Sequence, residues 1–205
     1  MKVALFLYPI TPYLDALHMF GQGGHARLHE RAEALGRIMD QRYRRRGWRI
    51  VWALFSCEDD PTRADVSLLA PQFDLRPEDG IAVVPLSFKR HCTEKVYPDA
   101  RRFVRSLGDI SRLAVCGFHC DDCVEKIAKA AYRMGIQAKV HDDLTEHFFV
   151  LGFMGNRRDD VRARPAWLRI ASLLDEDAYG LRSFRRRITP LLRKSRRHKP
   201  WLLQF

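Results

Sequence analysis

This sequence lacks long apolar runs, and it also lacks a signal-peptide pattern. These are the two features that mark proteins that enter or cross a membrane. No stretch approaches the roughly 18 to 20 apolar residues that a membrane-spanning helix needs, and no signal-peptide pattern opens the chain. The five cysteines follow no regular framework, and their odd number fits thiols in a reducing compartment better than a disulfide scaffold. We therefore expect a cytoplasmic protein that makes no contact with a membrane.

Glycine loops that bind phosphate groups are missing as well. Residues 20–25 are rich in glycine, but the Gly-Lys-Ser/Thr sequence of a P-loop does not follow, and the dinucleotide spacing G-x-G-x-x-G fails. We interpret this segment as a connection after the first strand, which can also shape a pocket. No cofactor is predicted for the protein.

Basic residues, in contrast, are abundant and unevenly placed. The net charge is +11, and nine Lys and Arg residues lie at or after Arg182, where no acidic residue occurs. Residues 1–181 therefore carry only +2. We predict an α/β domain over residues 1–181 and a basic C-terminal extension over residues 182–205. The extension can bind nucleic acid or an acidic partner, or it can remain a solvated tail.

Short apolar runs alternate with amphipathic helical patterns along the chain, which is typical of a parallel sheet covered by helices. Strands are predicted at residues 2–7, 49–55, 81–88, 113–116 and 136–140. Helices are predicted at residues 28–43, at residues 99–107 and from Cys123 onward. The expected fold is a three-layer α/β/α arrangement with a mainly parallel, Rossmann-like sheet.

Local signals set the expected boundaries of these elements. Gly117 is expected to end the fourth strand, and Asp142 and Asp143 are expected to close the fifth strand in a polar loop. Pro85 places the third strand at an edge of the sheet or at a distortion. The basic run at residues 42–46 is interpreted as a solvated helix end, where cations complement the helix dipole.

The helix that begins near Cys123 carries most of the chemical information. Its apolar stripe, which indicates packing on the sheet, consists of Val124, Ile127, Ala128, Ala131 and Tyr132. A thiol at a helix N-terminus faces unpaired backbone N–H groups, which favour the thiolate and lower its pKa. The same N–H groups can hold a developing oxyanion. Asp121 and Asp122 disfavour the thiolate, so a nearby cation is expected.

The segment around Cys123 resembles the signature of the isochorismatase-like cysteine hydrolases. That signature has a strand, a glycine, a Cys-Val pair six residues later, an Ala-Tyr-x-x-Gly element, a second strand and an aspartate. The matching residues are Gly117, Cys123-Val124, Ala131-Tyr132, Gly135 and Asp143. The resemblance implies an isochorismatase-like fold. It also implies that Cys123 attacks an amide or related bond of a small-molecule substrate, commonly in a homo-oligomer.

Two further catalytic residues follow from the resemblance. The family places a lysine at the end of a strand some thirty residues before the cysteine, and Lys89 matches it, where it would stabilise the thiolate. The family's catalytic aspartate at the end of the first strand is replaced by Tyr8-Pro9. Asp15 is then the nearest carboxylate and the predicted proton acceptor.

Further contacts of the site are predicted beside these catalytic residues. Backbone N–H groups around Cys120 and Cys123 would hold the oxyanion, and Tyr8 and His119 would contact the substrate. Nicotinamidase-type members carry an Asp-x-His metal motif after the second strand, whereas residues 57–60 of this chain lack the histidine. A bound catalytic metal is therefore not predicted.

Two other interpretations of the central segment stay open. A family member without its aspartate can be inactive and serve as a binding module. Cys120 and Cys123 also form a C-x-x-C loop before a helix, which resembles heavy-metal-associated domains that bind a soft ion through two thiolates. A zinc site there would include His119, Cys116 or His141.

Overall fold

Five strands and three helices lie in the part of the chain that a computed structural model describes, namely residues 1–11, 14, 34–84, 99–118, 123–146 and 201. The strands are β1 (Lys2–Leu7), β2 (Arg49–Phe55), β3 (Gly80–Val84), β4 (Arg112–Phe118) and β5 (Gln137–Glu146). The helices are α1 (Leu35–Arg42), α2 (Ala100–Ser106) and α3 (Glu125–Arg133). The apolar runs of the sequence thus become strands, as predicted.

The strands form one parallel sheet in the order β3-β2-β1-β4-β5. The chain starts in the middle of the sheet, moves outward through β2 to β3, and then returns to the other side of β1 to form β4 and β5. The direction of travel therefore reverses between β1 and β4. β3 is an edge strand of this sheet, which is one of the two alternatives, an edge or a distortion, that Pro85 indicated.

Helices cover both faces of the sheet. The crossover from β1 through α1 to β2 and the crossover from β4 through α3 to β5 run in opposite directions across the sheet. Because such crossovers are right-handed, α1 and α3 lie on opposite faces. α2 packs beside α3. The predicted three-layer arrangement with a mainly parallel sheet is confirmed.

Aromatic side chains fill the layer between the sheet and α1. Phe6 pairs in register with Trp52 and with Cys116, so these three side chains point to the same face. The ring of Phe73 lies 4.8 Å from that of Phe6 and 5.2 Å from that of Trp52. The polar segment between β2 and β3 therefore contributes to the core.

Gly117 does not end β4, although the sequence predicted that it would. The strand continues to Phe118, while Gly117 itself has a φ of 106°, a conformation that glycine adopts readily and other residues rarely do. The glycine redirects the backbone within the strand and does not terminate it.

β5 is longer than predicted and irregular. Asp142 and Asp143 do not close it, since the strand runs on to Glu146. Val140 pairs with Val115 of β4, but the next paired residue of β5 is Thr145, opposite Gly117, so residues 141–144 bulge out of the ladder. The hydroxyl of Thr145 donates a hydrogen bond of 2.7 Å to the carbonyl oxygen of His141. This bond spans the bulge.

Tyr132 departs from the predicted apolar stripe of α3. It is 45% exposed, because it lies eight residues after Val124 and about 80° round the helix from it. Its ring contacts that of Trp201 at 5.7 Å, and the ammonium group of Lys129 lies 5.5 Å from the same Trp201 ring. The chain at Trp201 therefore docks on the outer face of α3.

The basic run after α1 is only partly solvated, which corrects the sequence-based interpretation. The side chain of Arg44 is 12% exposed and donates two hydrogen bonds, of 2.8 and 3.0 Å, to the carboxylate of Asp79, which is 1% exposed. Asp40 accepts a further bond of 2.9 Å from Arg44. The guanidinium of Arg44 is thus part of a partly buried ion-pair cluster.

Several predictions fall on residues outside the described ranges. They include the first part of the helix at residues 28–43, the end of the strand at residues 81–88, and nearly all of the extension at residues 182–205. The division into a domain and an extension stays a prediction. In the described ranges, no helix is both long enough and apolar enough to span a membrane.

Candidate active site

The carboxyl ends of β1 and β4 define the most favourable position for a ligand. In open α/β sheets, ligands bind outside the carboxyl ends of the strands where the strand order reverses. Here that place is the gap between β1 and β4, whose last paired residues are Leu7 and Gly117. Tyr8 follows Leu7 directly, and Cys123 follows the end of β4 at the start of α3.

Gly117 brings the two central strands into close contact at this edge. A Cβ atom built on Gly117 would lie 2.1 Å from the carbonyl oxygen of Leu7 and 2.6 Å from its amide nitrogen. Those atoms are backbone and cannot rotate away, so no side chain fits at this position. The glycine of the family-like signature therefore shapes the gap between β1 and β4.

Tyr8 has a strained backbone at the same edge. Its φ of 56° is the one positive φ of a non-glycine residue in the described ranges, and such conformations concentrate at functional sites. Its N–H still donates to the carbonyl oxygen of Ala53 at 2.9 Å. Its ring is buried and stacks on that of Phe55 at 4.7 Å with an interplanar angle of 15°. A contact between Tyr8 and a substrate stays a prediction.

Cys123 lies where the sequence predicts a helix start. Cys123 and Val124 form the turn that leads directly into α3, and Val124 has helical backbone angles. Cys123 is 5% exposed, and its sulfur is a thiol and not part of a disulfide. Within that turn the thiol lies near the positive end of the α3 dipole, whereas burial opposes its ionisation.

Two carboxylates at this edge, those of Asp60 and Asp99, are engaged in a turn and in a helix cap. Asp60 accepts hydrogen bonds from the hydroxyl and the N–H of Thr62, which lower the pKa of Asp60. Asp99 caps α2 by accepting from the N–H groups of Arg102 and Arg101, and these bonds lower the pKa of Asp99. Both carboxylates are held as anions for structural reasons, so neither is a good candidate for the general base.

Four predicted site residues lie outside the described ranges: Asp15, Lys89, His119 and Cys120. Their roles stay predictions. The chain next to Asp15 is described at Leu14, which is buried and donates its N–H to the carbonyl oxygen of Ile10 at 3.2 Å. Leu14 therefore lies one helical turn beyond the segment that follows β1.

A second polar cluster, which the sequence did not predict, lies between α1, β4 and β5. The hydroxyl of Tyr43 lies 2.7 Å from Nδ1 of His141 and 3.8 Å from Sγ of Cys116, and Arg42 Nη1 lies 3.1 Å from Nε2 of His141. A guanidinium can only donate, so Nε2 accepts and the proton of the imidazole is on Nδ1, where it donates to the Tyr43 oxygen. Either the Tyr43 hydroxyl or the Cys116 thiol can donate in the contact between them.

This arrangement bears on the interpretation that His141 is a zinc ligand. Both ring nitrogens of His141 have hydrogen-bond partners, Arg42 and Tyr43, at least one of which a metal ion would have to displace. In the described ranges, no group of three or more His, Cys, Asp or Glu side chains is placed to hold a metal ion. No sequence signal linked Tyr43 to His141, because the two residues meet through the bulge in β5.

Comparison with known proteins gives similarity to solved structures. The chain is similar to an isochorismatase from Pseudomonas putida KT2440, with 16% identity, 70% of both chains covered and a TM-score of 0.46. It is also similar to N-carbamoylsarcosine amidase from Thermoplasma acidophilum, with 17% identity, 88% of this chain and 94% of that chain covered, and a TM-score of 0.42.

A third similar structure is the pyrazinamidase of Pyrococcus horikoshii in complex with zinc, with 12% identity, 87% of this chain and 96% of that chain covered, and a TM-score of 0.46. No family model matches the chain, and no curated protein matches it. Isochorismatase-family structures are thus among those similar to this chain, as the resemblance around Cys123 suggested. At such low identity, the roles of individual residues depend on the geometry of this chain.

Proposed function

We propose that the protein is an isochorismatase-like hydrolase that cleaves an amide or related bond of a small molecule, with Cys123 as its nucleophile. The observation that carries this proposal is the position of Cys123, on the turn that opens α3 and beside the reversal of strand order between β1 and β4. A single position there supplies both a thiolate and backbone N–H groups for an oxyanion.

The proposed reaction has two halves. Asp15 accepts the thiol proton, and Cys123 Sγ forms a bond to the amide carbon while the carbonyl electrons move to oxygen. Backbone N–H groups around Cys120 and Cys123 stabilise this oxyanion, and Lys89 stabilises the thiolate. When the oxyanion collapses, the C–N bond breaks and the amine leaves with the proton from Asp15.

Water completes the second half of the reaction. Asp15, now a carboxylate again, accepts a proton from water as the water oxygen attacks the thioester carbon. The C–S bond then breaks, the carboxylic acid product is released, and the proton returns from Asp15 to the thiolate. Asp15 is preferred to Asp60 and Asp99 as the base because hydrogen bonds within a turn and a helix cap engage those two carboxylates.

A binding module without turnover is the second candidate function. The observation that favours it is Tyr8, a buried and strained residue in the place where the resembled family has its catalytic aspartate. In that case the site binds a small molecule at the carboxyl edge and releases it unchanged. Tyr8→Asp would then place a carboxylate at the end of β1, and turnover by this variant where the parent shows none would support the second candidate.

Turnover by the full chain tests the proposal directly. Pyrazinamide and N-carbamoylsarcosine, the substrates named by two similar proteins, are the first probes, followed by a panel of other amides with ammonia release as the readout. We expect Cys123→Ser to lower kcat by roughly 10⁴ or more. Cys57→Ser is the matched control, since Cys57 is a half-buried thiol just after β2, and it should retain activity.

The pH dependence of alkylation provides a second readout that needs no substrate. We expect iodoacetamide to modify Cys123 with a titration midpoint below the value of about 8.5 for an unperturbed thiol. Full activity of Cys123→Ser would exclude the nucleophile assignment. Joint protection of Cys120 and Cys123 by zinc would favour metal binding over hydrolysis.

A further inference from the structure

The amino edge of the sheet, opposite the edge that carries Cys123, collects positive charge. Every helix in a parallel α/β fold runs against the strands, so its last turn lies at the edge where the strands begin. Basic residues come to this edge from strand starts and from helix ends. The set, called the basic edge here, consists of Lys2, Arg46, Arg49, Arg105, Arg112 and Arg133.

Three members of the basic edge lie abreast on neighbouring strands. Lys2 of β1 pairs in register with Arg112 of β4, and Arg49 of β2 pairs with Val3, one residue further along β1. Neighbouring strands are about 4.8 Å apart, so the Cα atoms of Arg49 and Arg112 flank Lys2 at a separation of roughly 10 Å. Because successive side chains of a strand alternate faces, Lys2 and Arg112 point to one face of the sheet and Arg49 points to the other, so the fold fixes cations on both faces at the start of the central strands.

The charges of the basic edge are not neutralised by the acids beside them. Asp40 and Asp79 bind Arg44, Arg45 and Arg76. In the described ranges, the five arginines of the basic edge are all exposed and form no ion pair. Exposed acids in these ranges include Glu78, Asp109 and Asp99, and Asp99 interacts electrostatically with Arg105.

One arginine of the basic edge also borders a groove. The groove has a volume of about 290 Å³ and lies between the starts of β2 and β3 and the end of α2, with Arg49, Gly80 and Ser106 in its wall. A Cβ on Gly80 would lie 2.9 Å from Arg49 Nη2, so the guanidinium lies directly across the glycine backbone. The groove can admit a phosphate group beside a positioned guanidinium.

We propose that the basic edge binds the phosphate backbone of a nucleic acid, independently of the site around Cys123. Five of its six cations are arginines, whose planar guanidinium groups match phosphate oxygens in a bidentate manner. The binding is independent of sequence, because contacts to phosphate groups carry no base information. The nine cations at and after Arg182 add long-range attraction for the same polyanion.

Salt dependence of binding tests this proposal on the full chain. The probe is a fluorescent single-stranded 30-mer, with the dissociation constant measured by anisotropy between about 50 and 200 mM salt. We expect the triple variant Arg49→Gln, Arg105→Gln, Arg112→Gln to flatten the slope of log K against log salt by about 2 units, since each lost phosphate contact removes roughly 0.7. The dissociation constant near 0.1 M salt should rise by about tenfold or more.

A control variant removes the same charge from the other edge. Arg63→Gln, Arg101→Gln, Arg102→Gln changes three exposed arginines near the carboxyl ends of the strands and at the start of α2. Circular dichroism verifies that both variants are folded. We expect the control to keep the parental slope.

Equal losses in both variants would mean that only net charge matters, and unchanged binding in both would mean that the extension acts alone; either result overturns the proposal. Binding to phosphatidylserine vesicles without binding to the 30-mer would also overturn it.

Discussion

The two edges of the parallel sheet differ in how tightly their backbone is packed. At the carboxyl edge, positive φ angles occur at Tyr8, which follows β1, and at Gly117 of the neighbouring β4, and Gly117 lies directly against the backbone of Leu7. At the amino edge, Gly47, Gly108 and Gly135 also have positive φ; nothing lies within 4 Å of where the Cβ atoms of Gly47 and Gly135 would be, and the end of the Met1 side chain lies 3.3 Å from that of Gly108. Positive φ at Gly117 thus accompanies close packing of two backbones, while at the amino edge it allows the chain to turn in more open space.

The edges also differ in charge, and the direction of the helices explains why. Helices begin at the carboxyl edge, where their N-terminal dipoles favour anions such as a thiolate or an oxyanion. They end at the amino edge, where cations in the last turn are favoured, and Arg42, Arg105 and Arg133 occupy those turns. One architecture therefore places the positive ends of helix dipoles at one edge and cationic side chains at the other.

The largest expected effect comes from replacing Gly117 with alanine, and Gly135→Ala provides the comparison. We expect Gly117→Ala to lose more than about 4 kcal/mol of unfolding free energy or to fail to fold, because its Cβ would collide with the Leu7 backbone. Gly135 has a φ of 81° but open space around it, so Gly135→Ala should lose about 1 to 2 kcal/mol of unfolding free energy. Urea unfolding followed by circular dichroism measures both.

Similar losses in the two glycine variants would show that φ alone, and not the close approach of β1 to β4, determines the loss of unfolding free energy. A folded Gly117→Ala protein can also be tested for alkylation at Cys123. We expect its reaction to differ from that of the parent protein, because the gap between β1 and β4 must open to accept the methyl group. Gly135→Ala should leave that reaction unchanged.

The strands were predictable from sequence because each is a short apolar run between turn residues, as at residues 2–7 and 49–55. The bulge in β5 was not predictable. It depends on the pairing of Val140 with Val115 and of Thr145 with Gly117, a register that only the assembled sheet sets. The exposure of Tyr132 was not predicted for a related reason. An apolar stripe shows which face of a helix is buried, but it does not show how far the neighbouring layer covers that face.

Removal of the Asp79 carboxylate tests the ion-pair cluster at the amino edge. Asp79 accepts hydrogen bonds from Trp52 Nε1 at 2.9 Å, from Arg44 Nη2 at 2.8 Å and from the N–H of Arg76 at 3.1 Å. We expect Asp79→Ala to lose about 3 kcal/mol of unfolding free energy, since it leaves a largely buried guanidinium without its main partner.

The control for this prediction is the exposed pair of Arg63 and Asp59, whose side chains are 65% and 77% exposed. Asp59→Ala should leave the unfolding midpoint essentially unchanged. If Asp79→Ala behaved like Asp59→Ala, the basic run after α1 would be a solvated helix end after all, as its sequence suggested.

The candidate site was predictable where the position of a residue depends only on its neighbours in the sequence. Cys123 opens a helix because the apolar stripe begins directly after it, and that position could be read from the chain alone. The hydrogen bonds that join Tyr43, His141 and Arg42 could not, because they link the end of α1 to a bulge nearly a hundred residues away. Sequence patterns report local conformation, whereas polar networks depend on which elements the fold brings together.

The smallest expected effect concerns the pH dependence of Asp40, the other carboxylate bound to Arg44. The hydrogen bond from Arg44, with further contributions from Arg45 and Arg76, lowers the pKa of Asp40 from its ordinary value of 3.8. The folded state therefore binds this proton less readily than the unfolded state. The stability that Asp40 contributes is complete above about pH 3.8 and is lost as the pH falls through the lower pKa of the folded state.

We expect Asp40→Asn to be less stable than the parent at pH 7, with a difference that shrinks at pH 3 and in 1 M salt. Urea midpoints at both pH values measure this, and a difference that stayed constant would mean that Asp40 stabilises the protein by packing and not by charge.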